Sequence, residues 1–191
     1  MTRTVPIAAA FVAALTAAAY SVAGSSPSIS STSIAGANRG LTTAAYKRLL
    51  GGPSHLEAAK DGSLTGFEQP EGWTRLVFPK RKLQIYFNGG VKSVVVTTWN
   101  KAYKTAAGIG PCSTVEQLKK AYGRKIRPST FNTQQGNVYV YTMGDLLFAA
   151  ANLTDVTAIG LYDSKAPGAS GKGGSLSYAG FVILADQISC S

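Results

Sequence analysis

Three kinds of hydrophobic pattern follow one another along the chain: one unbroken run, two stripes at helical spacing, and several runs that alternate residue by residue. The unbroken run, from Val5 to about Val22, is dominated by alanine and preceded by Arg3. A short positive end, an apolar stretch of roughly 15 residues and a small-x-small site read as a signal peptide over 1–23, cleaved after Ala19 or Ala23. The run falls short of the ~20 residues that span a bilayer, so no transmembrane segment is expected after processing. GSSPSISSTSIAGAN follows, rich in serine and poor in large apolar residues, and reads as a flexible leader over 24–38, with order beginning near Arg39.

The two helical stripes lie at 42–51 and 114–123. In the second, Val115, Leu118 and Tyr122 fall on one face while Lys119 and Lys120 point away, and Gly123 supplies a stop. Ser113 and Glu116 stand at capping-box spacing and predict the start. In the first, Thr42 marks the entrance, Ala45, Tyr46, Leu49 and Leu50 form the apolar stripe, and Gly51, Gly52 and Pro53 end it. Each predicts a short amphipathic helix.

After each helix a polar loop leads into strand-like runs. The first set is WTRLVF, a turn at Pro79 to Lys82, LQIYF, a turn at Asn88 to Gly90, and VKSVVVTTW. The second is NVYVYT, a turn at Gly144 and Asp145, LLFAA, a turn near Asn152, and VTAIGLY. Asn-Gly between apolar runs is the strongest local hairpin signal. Register past Asn88 stays open, since Asn-Gly-Gly permits several turns. A Gly, Ser and Lys loop from Ala166 to Ser175 then leads to YAGFVILA, read as an extra C-terminal strand.

The two sets echo one another. Aligning 35–51 with 107–123 without a gap matches Ala35 with Ala107, Gly36 with Gly108, Thr42 with Thr114, Lys47 with Lys119 and Gly51 with Gly123. The expected architecture is therefore α+β: two tandem units, 39–105 and 106–191, each a short helix on an antiparallel three-stranded meander, packed as one body because neither buries enough alone. The pattern Gly-x-Gly-x-x-Ser-Thr-x-x-x-Leu-x-x-x-Tyr-Gly over 108–123, followed by strands ending in an aromatic, resembles the repeat of the beta-lactamase inhibitory protein and of the small outer-membrane-assembly lipoproteins (SmpA/OmlA-like). That resemblance implies a protein-binding or envelope role. The inhibitory proteins close a disulfide within each repeat, whereas Cys112 and Cys190 here both fall in the second unit.

Composition narrows the functions. Two cysteines in an exported chain are most simply one disulfide, Cys112 with Cys190. There are 19 Lys and Arg against 9 Asp and Glu, a net charge of +10. Such a balance favours anionic partners. Much of the charge sits in two clusters: Lys80, Arg81 and Lys82 near Arg75, and Lys119, Lys120, Arg124, Lys125 and Arg127.

Material for catalysis is thin. His55 is the single histidine, the carboxylates are scattered, and no ligand set for a metal or motif for a cofactor stands out. PGASGKGGS lacks the Ser or Thr after Lys172 that a phosphate loop needs. Binding has better material. If the aliphatic Leu83, Ile85, Phe87, Val138 and Val140 face the helices, then Gln84, Tyr86, Tyr139 and Tyr141 lie on the other sheet face, with Trp73 and Arg75. Tyr, Trp and Arg are the residues of protein-binding hot spots. The leading expectation is an exported, secreted or envelope-located, non-enzymatic module that binds an unidentified protein through that face, as an inhibitor or assembly factor. The alternative is a basic envelope protein that adheres to anionic wall polymers or lipid headgroups. No specific nucleic-acid partner is expected.

Overall fold

The computed structural model describes residues 28–58, 73–133, 136–150, 153–163 and 190. The expected signal peptide, the Ala166–Ser175 loop and the YAGFVILA strand lie outside them. The protein is α+β and mostly antiparallel. A small hairpin, β1 (Ser33–Ile34) and β2 (Ala37–Asn38), precedes helix α1 (Thr43–Leu50). Four strands follow: β3 (His55–Ala58), β4 (Trp73–Phe78), β5 (Leu83–Asn88) and β6 (Val95–Thr98). Helix α2 (Val115–Tyr122) then leads into β7 (Arg127–Thr133), β8 (Gly136–Met143), β9 (Leu146–Ala150) and β10 (Ala158–Leu161).

These last eight strands make one sheet in the order β3-β4-β5-β6-β10-β9-β8-β7, antiparallel at every step. Each helix is thus followed by four strands rather than the expected three. The sequence reading missed β3 and β7, which form the two edges. Past Asn88 the open register is now fixed, with Tyr86 opposite Val95 and Val94 N–H donating to Tyr86 O at 2.8 Å.

Both helices begin on a threonine. Thr42 Oγ1 accepts from Ala45 N at 3.2 Å, and Thr114 Oγ1 accepts from Gln117 N at 3.0 Å while Thr114 N donates to Gln117 Oε1 at 2.9 Å. The capping box therefore sits one residue later than Ser113 and Glu116 suggest. Ser113 instead accepts from Gly110 N at 3.0 Å and holds the preceding turn. Gly51 and Gly123 end the helices, their N–H groups donating to Lys47 O and Lys119 O. Leu49, expected in the buried stripe of α1, is 53 % exposed; Tyr46 and Leu50 carry the packing.

One face of the sheet and both helices enclose the core. Leu76, Phe78, Leu83, Ile85, Phe87, Val96, Leu146, Phe148, Ile159 and Leu161 meet Tyr46, Leu50, Val115 and Leu118. Fully burying such side chains contributes ~1.5–3 kcal/mol each. Ile29, Ile34 and Ala37 belong to the same cluster, so residues 28–38 are not the free leader that their serine content suggests. Ile29 N donates to Lys104 O at 3.0 Å, and Arg39 Nη2 meets Asp145 Oδ2 at 2.7 Å. Three well-placed apolar residues outweigh the polar remainder of that stretch.

Candidate functional site

The face opposite the helices gathers some of the expected binding residues and rejects others. Register places Glu57 opposite Arg75, Arg75 opposite Tyr86, and Gln84 opposite both Val77 and Thr97. Arg75, Gln84 and Tyr86 do share this face, and Glu57 joins them. Arg75 Nε donates to Glu57 Oε1 at 2.6 Å, Tyr86 OH donates to Gln84 Oε1 at 2.5 Å, and Arg75 Nη1 reaches the same oxygen at 3.5 Å. Burial acts to lower the Arg75 pKa, but Tyr86 and Glu57 outweigh it and the net displacement is upward, so the guanidinium stays charged. Trp73 opens β4, paired with Asn88.

This row is not an exposed hot spot. Tyr86 is 1 % and Gln84 4 % exposed. Their hydrogen bonds tie β3, β4 and β5 together and satisfy polar groups that burial would otherwise penalise. Thr97, across from Gln84, keeps a buried Oγ1 with no partner among the described residues. His55 lies at the exposed rim, Nε2 at 3.8 Å from Glu57 Oε1.

Tyr139 and Tyr141 belong to the other face, which corrects the expected parity. Tyr141 pairs with Phe148 and joins the core beneath the helices, and Tyr139 packs against that core. Burial, then neighbouring Tyr139, raises the Tyr141 pKa. Lys119 Nζ stands 5.8 Å from the Tyr141 ring centroid, a cation-π contact across the helix–sheet interface.

The cationic residues are arranged differently from one patch. Lys80, Arg81 and Lys82 form the turn between β4 and β5, where Leu83 meets Thr98 and Thr98 meets Ile159. Arg124 and Lys125 follow α2 and Arg127 starts β7 opposite Thr142, beside the β8–β9 turn. Because β5 and β8 start at the same end of the sheet and the β8–β9 turn closes the other, the two clusters lie at opposite ends. Arg81 donates to Leu50 O and closes the end of α1, a structural task. Lys80, Lys82, Arg124, Lys125 and Arg127 are exposed.

The helices join the clusters. Lys47 and Arg48 are exposed on α1, and Lys119 and Lys120 on α2, with Glu116 the single carboxylate of either helix. Shallow depressions of about 290 Å³ flank them: Leu50, Pro53, Phe78 and Lys80 line one, Ile109, Gln117 and Lys120 the other. Glu57, Asp145 and Asp163, by contrast, engage Arg75 and Arg39. Sequence reading passed over Lys47 and Arg48, although the match of Lys47 with Lys119 was the available signal. It also passed over Glu57, which a lone arginine in a strand could have announced.

Cys112 and Cys190 are bridged. A disulfide is compatible with an oxidising, extracytoplasmic setting. Among the described residues no helix is long and apolar enough to cross a membrane, and no three His, Cys, Asp or Glu residues gather as metal ligands would. No family model, curated protein or solved structure matches the chain.

Proposed function

We propose that the protein is an exported, non-enzymatic binding protein, built of two tandem units that each lay an amphipathic helix on an antiparallel meander, and that its helix layer adheres to anionic polymers of the cell envelope. One observation carries this reading: Lys47, Arg48, Lys119 and Lys120 are exposed on the helices between two exposed cationic clusters, while Glu57, Asp145 and Asp163 are engaged by arginines. The rival reading, a protein-binding aromatic sheet face, loses its support with the burial of Tyr86 and Gln84 and the placement of Tyr139 and Tyr141 under the helices.

The two readings respond differently to salt. The Debye length falls from ~10 Å at 0.1 M to ~3 Å at 1 M, so adhesion by exposed lysines collapses over that range. Hydrophobic contact with a protein survives it. The oxidised chain starting at Gly24 is expected to bind immobilised polyphosphate or polyuronate at low salt and to elute at high salt, and to ignore a neutral glucan throughout. A single envelope protein retained through the high-salt wash would restore the rival reading and sink this one.

A further inference from the structure

We propose that the anionic partner is a linear polymer held lengthwise along the helix layer, engaging both ends of the sheet at once, rather than an isolated headgroup or small anion; this rests on the adhesion reading above. The geometry begins with the helices. α1 starts where Thr42 bridges Lys92, ahead of β6, and ends where Arg81 of the β4–β5 turn reaches Leu50 O. α2 starts where Thr114 bridges Asp155, ahead of β10, and ends in Gly123–Lys125, ahead of β7. The helices therefore run in opposite directions across the sheet, each from one end to the other.

That antiparallel placement orders the exposed cations. Lys80 and Lys82 stand at one end, and Lys47 and Arg48, in the second half of α1, lie toward the same end. Lys119 and Lys120, in the second half of α2, lie toward the opposite end, which Arg124, Lys125 and Arg127 occupy. The result is a track rather than a pocket. Helices of this length are ~12 Å long at 1.5 Å per residue. Along the strands the clusters are ~20–25 Å apart, and the five strand steps from β5 to β7 add ~24 Å sideways at ~4.8 Å each, so the track runs diagonally for ~30–35 Å.

A separation of about three Debye lengths at 0.1 M means that the end clusters cannot act together on a compact ligand. A connected polyanion escapes this limit, because binding at one end raises the effective concentration of charge at the other. The shallow, open form of the two depressions agrees with a chain laid over the surface.

The test is affinity against chain length, read by fluorescence anisotropy with size-fractionated polyphosphates. Chains shorter than the track should bind weakly, and affinity per chain should rise on the order of a hundredfold once the contour exceeds ~30 Å. A K80E/K82E variant and, separately, an R124E/K125E variant should each bind long chains about as weakly as short ones, with circular dichroism confirming that the fold is kept. Arg81 is left in place because it closes α1. If length dependence follows only the number of phosphates and survives either end reversal, the lengthwise inference is wrong while adhesion stands. If no length binds, the adhesion reading fails. Vesicles of phosphatidylglycerol binding tightly where long polyphosphate does not would overturn the polymer in favour of a headgroup surface.

Discussion

Tyr46 shows how one side chain links helix, sheet and N-terminal hairpin. It is fully buried, its ring meets Phe87 edge-on at 6.4 Å, and its hydroxyl donates to Asn38 O and shares a hydrogen bond of 2.6 Å with Ser93 Oγ. Burial raises its pKa, with Ser93, Leu41 and Arg39 opposing more weakly. A phenol whose folded pKa exceeds its unfolded value near 10 contributes stability that is complete below pH ~10 and is lost as pH climbs through the folded pKa. Urea midpoints should therefore hold steady to about pH 9 and fall beyond pH ~10. Tyr46→Phe should lower the midpoint at neutral pH, through the lost hydrogen bonds, and flatten the alkaline fall. Tyr162, raised by burial and by Asp145, and Tyr141 titrate in the same sense, so some alkaline slope should remain. An unchanged slope in the variant would place the titrating group elsewhere.

Among the elements, the start of α2 is the sharpest case. Thr114→Ala should cost ~1 kcal/mol in urea denaturation, whereas Glu116→Ala should stay within about 0.5 kcal/mol, since Gln117 and not Glu116 closes the box. The reverse ranking would restore the earlier start at Ser113. That one-residue shift illustrates what patterns carry: Ser113, Thr114, Glu116 and Gln117 satisfy the same motif twice, and only the turn that takes Ser113 Oγ decides between them. Strands with long apolar runs were legible for the same reason that helices were. HLEA and RPSTFNT were not, because an edge strand is held by one neighbour's backbone and needs little apolar alternation. Face assignment held in β5, where Gln84 and Tyr86 lie opposite the helices, but exposure did not follow from it, because Leu83 to Phe87 are all buried. The assignment failed in β8 because Tyr141 fills the space beneath α2 while buried Val140 turns to the other face. For the candidate site, then, charge was legible but its distribution was not, since only pairing reveals that the two clusters part to opposite ends.

Taken whole, the molecule is closed by contacts between segments far apart in sequence. The Cys112–Cys190 bridge spans 78 residues and ties the last residues of the chain to the turn before α2. In the chain-entropy model a loop of that size contributes ~4 kcal/mol, so a C112S/C190S variant should lose about that much in chemical denaturation while keeping its circular dichroism at low temperature. A loss below about 1 kcal/mol would mean that the chain end is held by other contacts. The central pairing of β6 with β10 is the other such closure. A ribosome delivers Val95–Thr98 well before Ala158–Leu161, so β6 can pair with β5 at once while its other edge waits for a neighbour not yet made. With Val95, Val96, Thr97 and Thr98 all destined for burial, that waiting edge is a template for wrong pairing until β10 arrives to close it.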